Sequence, residues 1–146
     1  MKPPRDKGSP AVETVIPSDP ADARQLQDRI EQLLQVRGAH EKDIFGIRLA
    51  LEEALVNAIK HGNQMDRAKP VFVRYLIEDD RFEILIRDEG SGFDPEDVPD
   101  PTAVENLERP CGRGLMLMHH YMTEVTYSNG GNVVTMSKVF RNAGPK

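Results

Sequence analysis

The sequence has very little cysteine and no long apolar run, and each absence narrows what the chain can be. One cysteine in 146 residues excludes an internal disulfide and favours a reducing compartment. No stretch approaches the roughly 20 apolar residues of a membrane-spanning helix. The first residues also lack the apolar segment of a signal peptide. We therefore expect a cytoplasmic protein that makes no contact with a membrane.

A surplus of positive charge is missing as well. The sequence has 19 Lys and Arg against 24 Asp and Glu, a formal net charge of -5. Proteins that bind nucleic acid regardless of its sequence need a basic surface to neutralise phosphates. The acidic balance therefore argues against direct nucleic-acid binding. The length of 146 residues is that of one ordinary domain with a core of its own.

The chain divides into a short tail and a single domain. Residues 1–11 are rich in Pro, Lys and Gly and are expected to be disordered, whereas residues 12–146 carry regular apolar patterns. The predicted elements are a strand over 12–16, a helix that Ser18 or Asp19 caps, Pro20 begins and Gly38 closes, a helix from about Lys42 to His61, a hairpin over 71–87, a helix near 115–122 and a hairpin over 124–140. Runs of antiparallel strands with separate helices predict an α+β sandwich of two layers, in which helices cover one face of the sheet.

The helix that ends near His61 carries two polar side chains away from its apolar stripe. At about 100° per residue, Glu53 and Asn57 lie roughly 40° apart and roughly 110° from the stripe. Gly46 and Ala50 occupy the same column, which leaves room for an approaching group.

This pair has two readings. For any single glutamate, a helix edge that meets solvent is the usual one. However, the rest of this helix is largely apolar, which favours a functional pair. An Asn oxygen can bind Mg²⁺, and a Glu one turn away can accept a proton from a nucleophile.

A second polar position follows the strand that ends at Arg87. Phe82, Ile84 and Ile86 share one face of that strand, and Asp88 continues the row. A carboxylate there is partly desolvated and requires hydrogen bonds, which the exocyclic amine of adenine could donate. Gly90 and Gly92 come next, where the backbone turns tightly or passes close to a ligand. A simple turn after a strand explains this segment equally well.

A glycine-rich segment precedes the predicted helix near 115–122. Cys111-Gly112-Arg113-Gly114-Leu115 would offer free N–H groups and a positive helix end to phosphate, with Arg113 adding a charged contact. The region between the two glycine-rich segments contains four prolines and little apolar periodicity. A loose stretch of this length inside a compact domain is usually functional.

Taken in order, these three segments resemble the motifs of the GHKL ATPase superfamily. Glu53-Ala54-Leu55-Val56-Asn57 is similar to its N box, Asp88-Glu89-Gly90-Ser91-Gly92 to its first glycine box and Gly112-Arg113-Gly114-Leu115 to its second. The ending Asn57-Ala58-Ile59-Lys60-His61-Gly62 resembles most closely the bacterial anti-sigma-factor serine/threonine kinases. The resemblance implies a Bergerat-type sandwich with a mixed, mostly antiparallel sheet, about three helices and a lid at about 92–111.

The resemblance also implies a role for each matching residue. Glu53 would be the general base, Asn57 would ligate Mg²⁺, and Asp88 would accept the adenine amine. The remaining ATP-binding positions would be Lys60, His61, Gly90, Gly92, Phe93, Gly112, Arg113, Gly114 and Leu115. The last hairpin departs from the family, because Gly131-Asn132-Val133 replaces a Gly-Thr-Thr-like ending, and Thr135 is not assigned the missing role.

The resemblance finally implies a function. The chain would be a homodimeric kinase that uses ATP and Mg²⁺ to phosphorylate a Ser or Thr of a STAS-domain antagonist, and that binds a sigma factor or another regulator. The alternative is a non-catalytic module whose affinity for a protein partner is switched by ATP. The presence of Glu53 favours the kinase, because pure binding does not require a base.

Overall fold

The computed structural model describes residues 11–90, 118–128 and 132–141. The elements are β1 (Val12–Ile16), α1 (Pro20–Val36), α2 (Glu41–Val56), a π-helix (Asn57–Gly62), β2 (Val71–Ile77), β3 (Arg81–Arg87), β4 (Glu124–Ser128) and β5 (Val133–Val139). Residues 118–121 are also helical, and they are the described part of the helix predicted near 115–122. The predicted lid at 92–111 lies outside the described residues, as does the predicted tail up to residue 10.

The strands form one five-stranded sheet in the order β1-β2-β3-β5-β4. All four pairings between the described strands are antiparallel. In β3, Phe82, Ile84 and Ile86 are buried, and they join apolar residues of α1 and α2 in one core. On the opposite face, the Arg87 guanidinium stacks on the Phe72 ring at 4.5 Å from its centroid. The predicted α+β sandwich is therefore confirmed.

Helix α1 begins where the sequence predicts. The side chain of Asp19 accepts a hydrogen bond from the Ala21 N–H at 2.9 Å, and Pro20 is the first helical residue. Gly38 follows the helix with φ +79°, a conformation that glycine adopts without strain. Arg48 of α2 then ties the two helices together through Gln27 and Glu31 of α1.

The end of α2 differs from the prediction of a uniform α-helix up to His61. From Asn57 onward the turns widen into a π-helix, and the Asn63 N–H donates to Ala58 O, five residues back, at 2.8 Å. Gly62 lies within this π-helix and does not take the left-handed conformation of a terminating glycine. Instead Gln64 and Met65 take it, with φ 54° and 61°. Alternation and helical spacing cannot reveal such a widening, because the apolar residues remain on the same side.

The far end of α2 is fixed by a buried carboxylate. Asp43 is fully buried and accepts hydrogen bonds from the N–H and the Nε of Arg141, both at 2.9 Å. Lys138 lies beside it and donates to Tyr121 O at 2.8 Å. The space beside Gly46, which the sequence suggested was open to a ligand, is occupied by the chain itself: a Cβ on Gly46 would lie 3.0 Å from the Tyr121 ring.

Among the described residues, no helix combines the length and the apolar character that crossing a bilayer requires.

Candidate functional site

Glu53 and Asn57 lie at the junction of α2 and the π-helix. The Asn57 N–H donates to the carbonyls of Glu53 and Ala54, and both polar side chains are half-buried. The Asn57 Nδ2 is buried, and no hydrogen-bond partner for it is found in the described part of the chain. Because a buried unpaired amide is costly, such a group marks a position that a polar ligand can complete.

Asp88 is the second element of the site. Its residue is 8% exposed, and it extends the buried row of β3 as the sequence predicts. Burial raises the pKa of the Asp88 carboxyl above its ordinary value, and the hydrogen bond from Gly90 N–H opposes part of that rise. That bond is made to Oδ1 at 2.8 Å. Within residues 11–90, 118–128 and 132–141, no hydrogen bond is made to Oδ2, so this oxygen can accept one from a ligand.

Two glycines bring the π-helix and the Asp88 loop into direct contact. A Cβ on Gly62 would lie 2.3 Å from the Asp88 Cγ, and a Cβ on Gly90 would lie 2.1 Å from Gly62 O. Neither position has space for a side chain. The helix that carries Glu53 and Asn57 therefore packs on the loop that carries Asp88, so two of the three segments that the sequence singled out are brought together.

Two asparagines hold this loop and were not predicted as site residues. Asn132 donates from Nδ2 to Asp88 O at 3.1 Å, and its own carbonyl accepts from the Asp88 N–H at 3.0 Å. Asn63 is fully buried, and its Oδ1 accepts from the Glu89 N–H at 2.7 Å. In the sequence, Asn63 after Gly62 is typical of a helix end, and Asn132 after two glycines is typical of a turn. Neither pattern indicates a contact with residue 88.

Lys60 and His61 are exposed on the π-helix. Lys60 lines a cavity of about 230 Å³ between α1 and α2, together with Glu52 and Val56. It therefore lies on the helix face that is turned toward α1 and is not part of the Asp88 cluster. Six predicted positions lie outside the described residues: Gly92, Phe93, Gly112, Arg113, Gly114 and Leu115.

The chemistry of this arrangement fits a magnesium nucleotide. Asp88 offers a buried acceptor to an amine, the glycines allow a flat group to approach, and Asn57 presents an amide with unused capacity. The described residues contain no group of three or more His, Cys, Asp or Glu that could hold a metal ion. A single Asn oxygen suits Mg²⁺, which binds through few protein ligands together with waters and substrate phosphates.

Known proteins match this chain over most of its length. The sequence model of the family described as "Histidine kinase-like ATPase domain" matches residues 16–138. The serine-protein kinase RsbW of Bacillus licheniformis is 30% identical over 136 residues, which cover 87% of this chain and 84% of that protein. The RsbW of Bacillus subtilis strain 168 is 28% identical over 134 residues, with coverage of 87% and 84%.

A solved structure shares the fold. The crystal structure of the RsbU and RsbW domains of a Mycobacterium tuberculosis protein aligns with a TM-score of 0.61 at 19% identity. The alignment covers 91% of this chain and 32% of that longer one, so this chain spans about a third of it.

Proposed function

This chain belongs to the histidine kinase-like ATPase domain family and, within it, to the anti-sigma-factor serine kinases, and on that premise we propose that it transfers the γ-phosphoryl group of ATP to a Ser or Thr of a small regulatory protein. The observation that carries the proposal is the packing of the Glu53/Asn57 helix directly on the buried Asp88 carboxylate. This contact gathers an acceptor for a base, an amide for a metal and a carboxylate base within one part of the fold.

Asp88 and its neighbours bind the purine in this proposal. The unpaired Oδ2 accepts a hydrogen bond from the exocyclic amine of adenine. Gly62 and Gly90 keep side chains out of the space around that carboxylate. Binding an amine donor also offsets the cost of desolvating the Asp88 charge, since a buried carboxylate is stabilised by each hydrogen bond it accepts.

Asn57 and Glu53 act at the phosphate end. Bound ATP·Mg²⁺ supplies the phosphoryl group and neutralises its charge. The Asn57 amide oxygen ligates the metal. Glu53, one turn earlier, accepts the proton of the attacking hydroxyl while the new O–P bond forms and ADP leaves. The loop Gly112–Leu115 donates backbone N–H groups to the triphosphate, and the segment at about 92–111 closes over it as a lid.

The protein partners follow from the relatives, whose names describe serine-protein kinases. We propose that the phosphorylated partner is a STAS-domain antagonist, that a homodimer of this chain also binds a sigma factor or an equivalent regulator, and that it does so in the cytoplasm. Residues 12–146 act as one nucleotide-binding domain in this scheme.

The test has two steps. Titration of the purified protein with ADP or ATP, with and without Mg²⁺, measures nucleotide binding. Incubation with γ-labelled ATP and a STAS-domain protein encoded in the same genome measures transfer. We expect magnesium-dependent binding and a labelled Ser or Thr on the partner. Binding without transfer to any STAS partner of that genome would instead favour the ATP-gated binding module. An absence of nucleotide binding, with or without the partner, would reject both.

A further inference from the structure

We propose that Asn63 is a positioning residue that fixes the Asp88 carboxylate and thereby sets the preference of the site for adenine over guanine. This inference rests on the proposed function, because it takes Asp88 as the group that binds the base. Asn63 follows the π-helix and does not itself contact the base in this proposal. It acts through the peptide that joins Asp88 to Glu89.

The first observation is the set of hydrogen bonds that the Asn63 side chain makes. Its Nδ2 donates to Lys69 O at 2.8 Å, to Pro70 O at 3.1 Å and to the Ser18 Oγ at 2.9 Å. Its Oδ1 accepts from the Glu89 N–H at 2.7 Å. One fully buried amide therefore joins the Asp88 loop to the entry of α1 and to the entry of β2.

These contacts fix the orientation of the amide. A flipped Asn63 would turn its NH₂ group against the Glu89 N–H and its oxygen against acceptor oxygens, including the carbonyls of Lys69 and Pro70. Because all these groups are close to a buried side chain, both mismatches would leave polar atoms unpaired. The observed orientation is therefore the stable one, and the Glu89 N–H has a fixed acceptor.

The second observation is how the Asp88 loop is held on its other side. Asn132 binds both backbone groups of Asp88, and the Gly90 N–H binds Oδ1. These bonds join residue 88 to β5 and to its own loop. Asn63 provides the bond to the helix side, where Gly62 packs on the carboxylate. Without it, the 88–89 peptide can rotate, and the direction of Oδ2 rotates with it.

The third observation is the backbone beyond Asn63. Gln64 and Met65 both adopt left-handed φ angles, which side-chain-bearing residues rarely do. Such conformations persist where the surroundings over-determine them, and they concentrate at functional sites. Here the Asn63 N–H is bound to Ala58 O and the Met65 N–H to Ile59 O. The position of Asn63 is thus imposed from the helix as well as from the loop.

A fixed carboxylate is what base discrimination requires. Adenine presents an amine donor where guanine presents a carbonyl, so a carboxylate held at that place attracts one and repels the other. A site built to pair a specific polar group discriminates strongly against an analogue that lacks it. A carboxylate that can swing aside loses most of that discrimination, even if it still binds adenine.

The experiment compares ADP with GDP, so that it does not depend on phosphoryl transfer. We expect Asn63→Ala to lower the ratio of ADP affinity to GDP affinity by roughly tenfold or more, because the Glu89 N–H loses its acceptor. For the transfer reaction, the KM for ATP should rise while kcat at saturating ATP changes little, since Asn63 is far in the chain from the phosphate-binding residues. Ser18→Ala, which removes one partner of Nδ2, should lower the same ratio by a smaller factor.

Asp43→Asn is the matched control. Asp43 is another fully buried polar residue, at the opposite end of α2, and its substitution lowers stability without touching the Asp88 loop. A ratio of ADP to GDP affinity that is unchanged in folded Asn63→Ala, or that falls equally in Asp43→Asn, overturns the inference. If Asn63→Ala does not fold, an unchanged ratio in Ser18→Ala overturns it.

The wild-type protein separates this inference from the proposed function. If it prefers ADP over GDP but transfers no phosphate, the kinase proposal fails and the role of Asn63 is still decided by the ratio. If it binds ADP and GDP equally, Asp88 does not select the base, and the inference fails with it.

Discussion

The backbone of Gly62 lies directly against the carboxylate of Asp88, where a Cβ would fall 2.3 Å from Cγ and 2.4 Å from Oδ2. Residue 62 ends the π-helix and residue 88 ends the buried row of β3. The contact therefore joins two elements that are adjacent at the proposed site but separated by a hairpin strand in sequence. Several of the expected experimental outcomes depend on it.

Gly62→Ala should displace the Asp88 carboxylate. Because the methyl group has no space, we expect a loss of stability of roughly 1–3 kcal/mol from overpacking. We also expect at least a tenfold loss of ATP affinity, measured by titration calorimetry. The matched control is Gly38→Ala, where the left-handed φ strains the chain but no atom lies within 4 Å of the added Cβ. That variant should lose about 1–2 kcal/mol and keep its ATP affinity. Wild-type affinity in Gly62→Ala would mean that ATP does not bind at Asp88.

Asp88→Asn should separate stability from binding. Because burial raises the folded-state pKa of Asp88, the folded protein holds this proton more tightly than the unfolded chain does. Stability is therefore lost as pH rises from the ordinary pKa of an aspartate through the raised one. The Asn variant lacks this penalty. We expect it to have a higher Tm than wild type at pH 7, a difference that shrinks toward pH 4, and weaker ADP binding.

Thermal unfolding across that pH range checks the first part and titration with ADP checks the second. A Tm difference that is constant with pH would show that the titration of Asp88 does not contribute. Unchanged ADP affinity would remove Asp88 from the site.

Glu53→Gln should abolish transfer and spare binding. Loss of a general base typically lowers the rate by about 10²–10⁴-fold, whereas the amide preserves the shape of the side chain. The natural control is Glu52→Gln, which removes the same charge one residue earlier, on the face that lines the cavity next to α1. We expect Glu52→Gln to transfer phosphate at nearly the wild-type rate. Equal rates in Glu53→Gln and wild type would end the assignment of Glu53 as the base.

Asn57→Ala should alter the response to magnesium more than the stability. The variant removes a buried Nδ2 that has no partner in the described part of the chain, so the free energy of unfolding should change by less than about 1 kcal/mol. The transfer rate should fall, and more Mg²⁺ should be needed to reach its maximum. A normal magnesium dependence would show that Asn57 is not a metal ligand.

Much of the architecture could be predicted from the sequence. The five strands follow from alternating apolar residues, as in the Phe82, Ile84 and Ile86 row, and the start of α1 follows from Asp19 and Pro20. The position of Asp88 at the buried end of its row was also predicted. These features depend on local periodicity and capping, which are present in a single sequence.

The features that could not be predicted depend on contacts between distant segments. The widening of α2 at Asn57 leaves no mark in the apolar pattern. Gly62 was interpreted as a helix terminator, although its lack of a side chain serves the contact with Asp88. Gly46 was taken to face open space, which Tyr121 fills from about 75 residues further along the chain. The anchoring role of Asn63 depends on three segments that meet only in the folded protein.

The π-helix makes the stretch from Asn57 to Gly62 sensitive to its own length. Removing one residue there would restore ordinary α-helical winding and turn everything that follows by about 100°. Gly62 would then face away from the carboxylate, and the buried amide after it would no longer reach the loop across from it. Single-residue deletions in this stretch should thus be far more damaging than deletions in the exposed connection that follows. The count of residues here, as much as their identity, keeps the two halves of the proposed site in register.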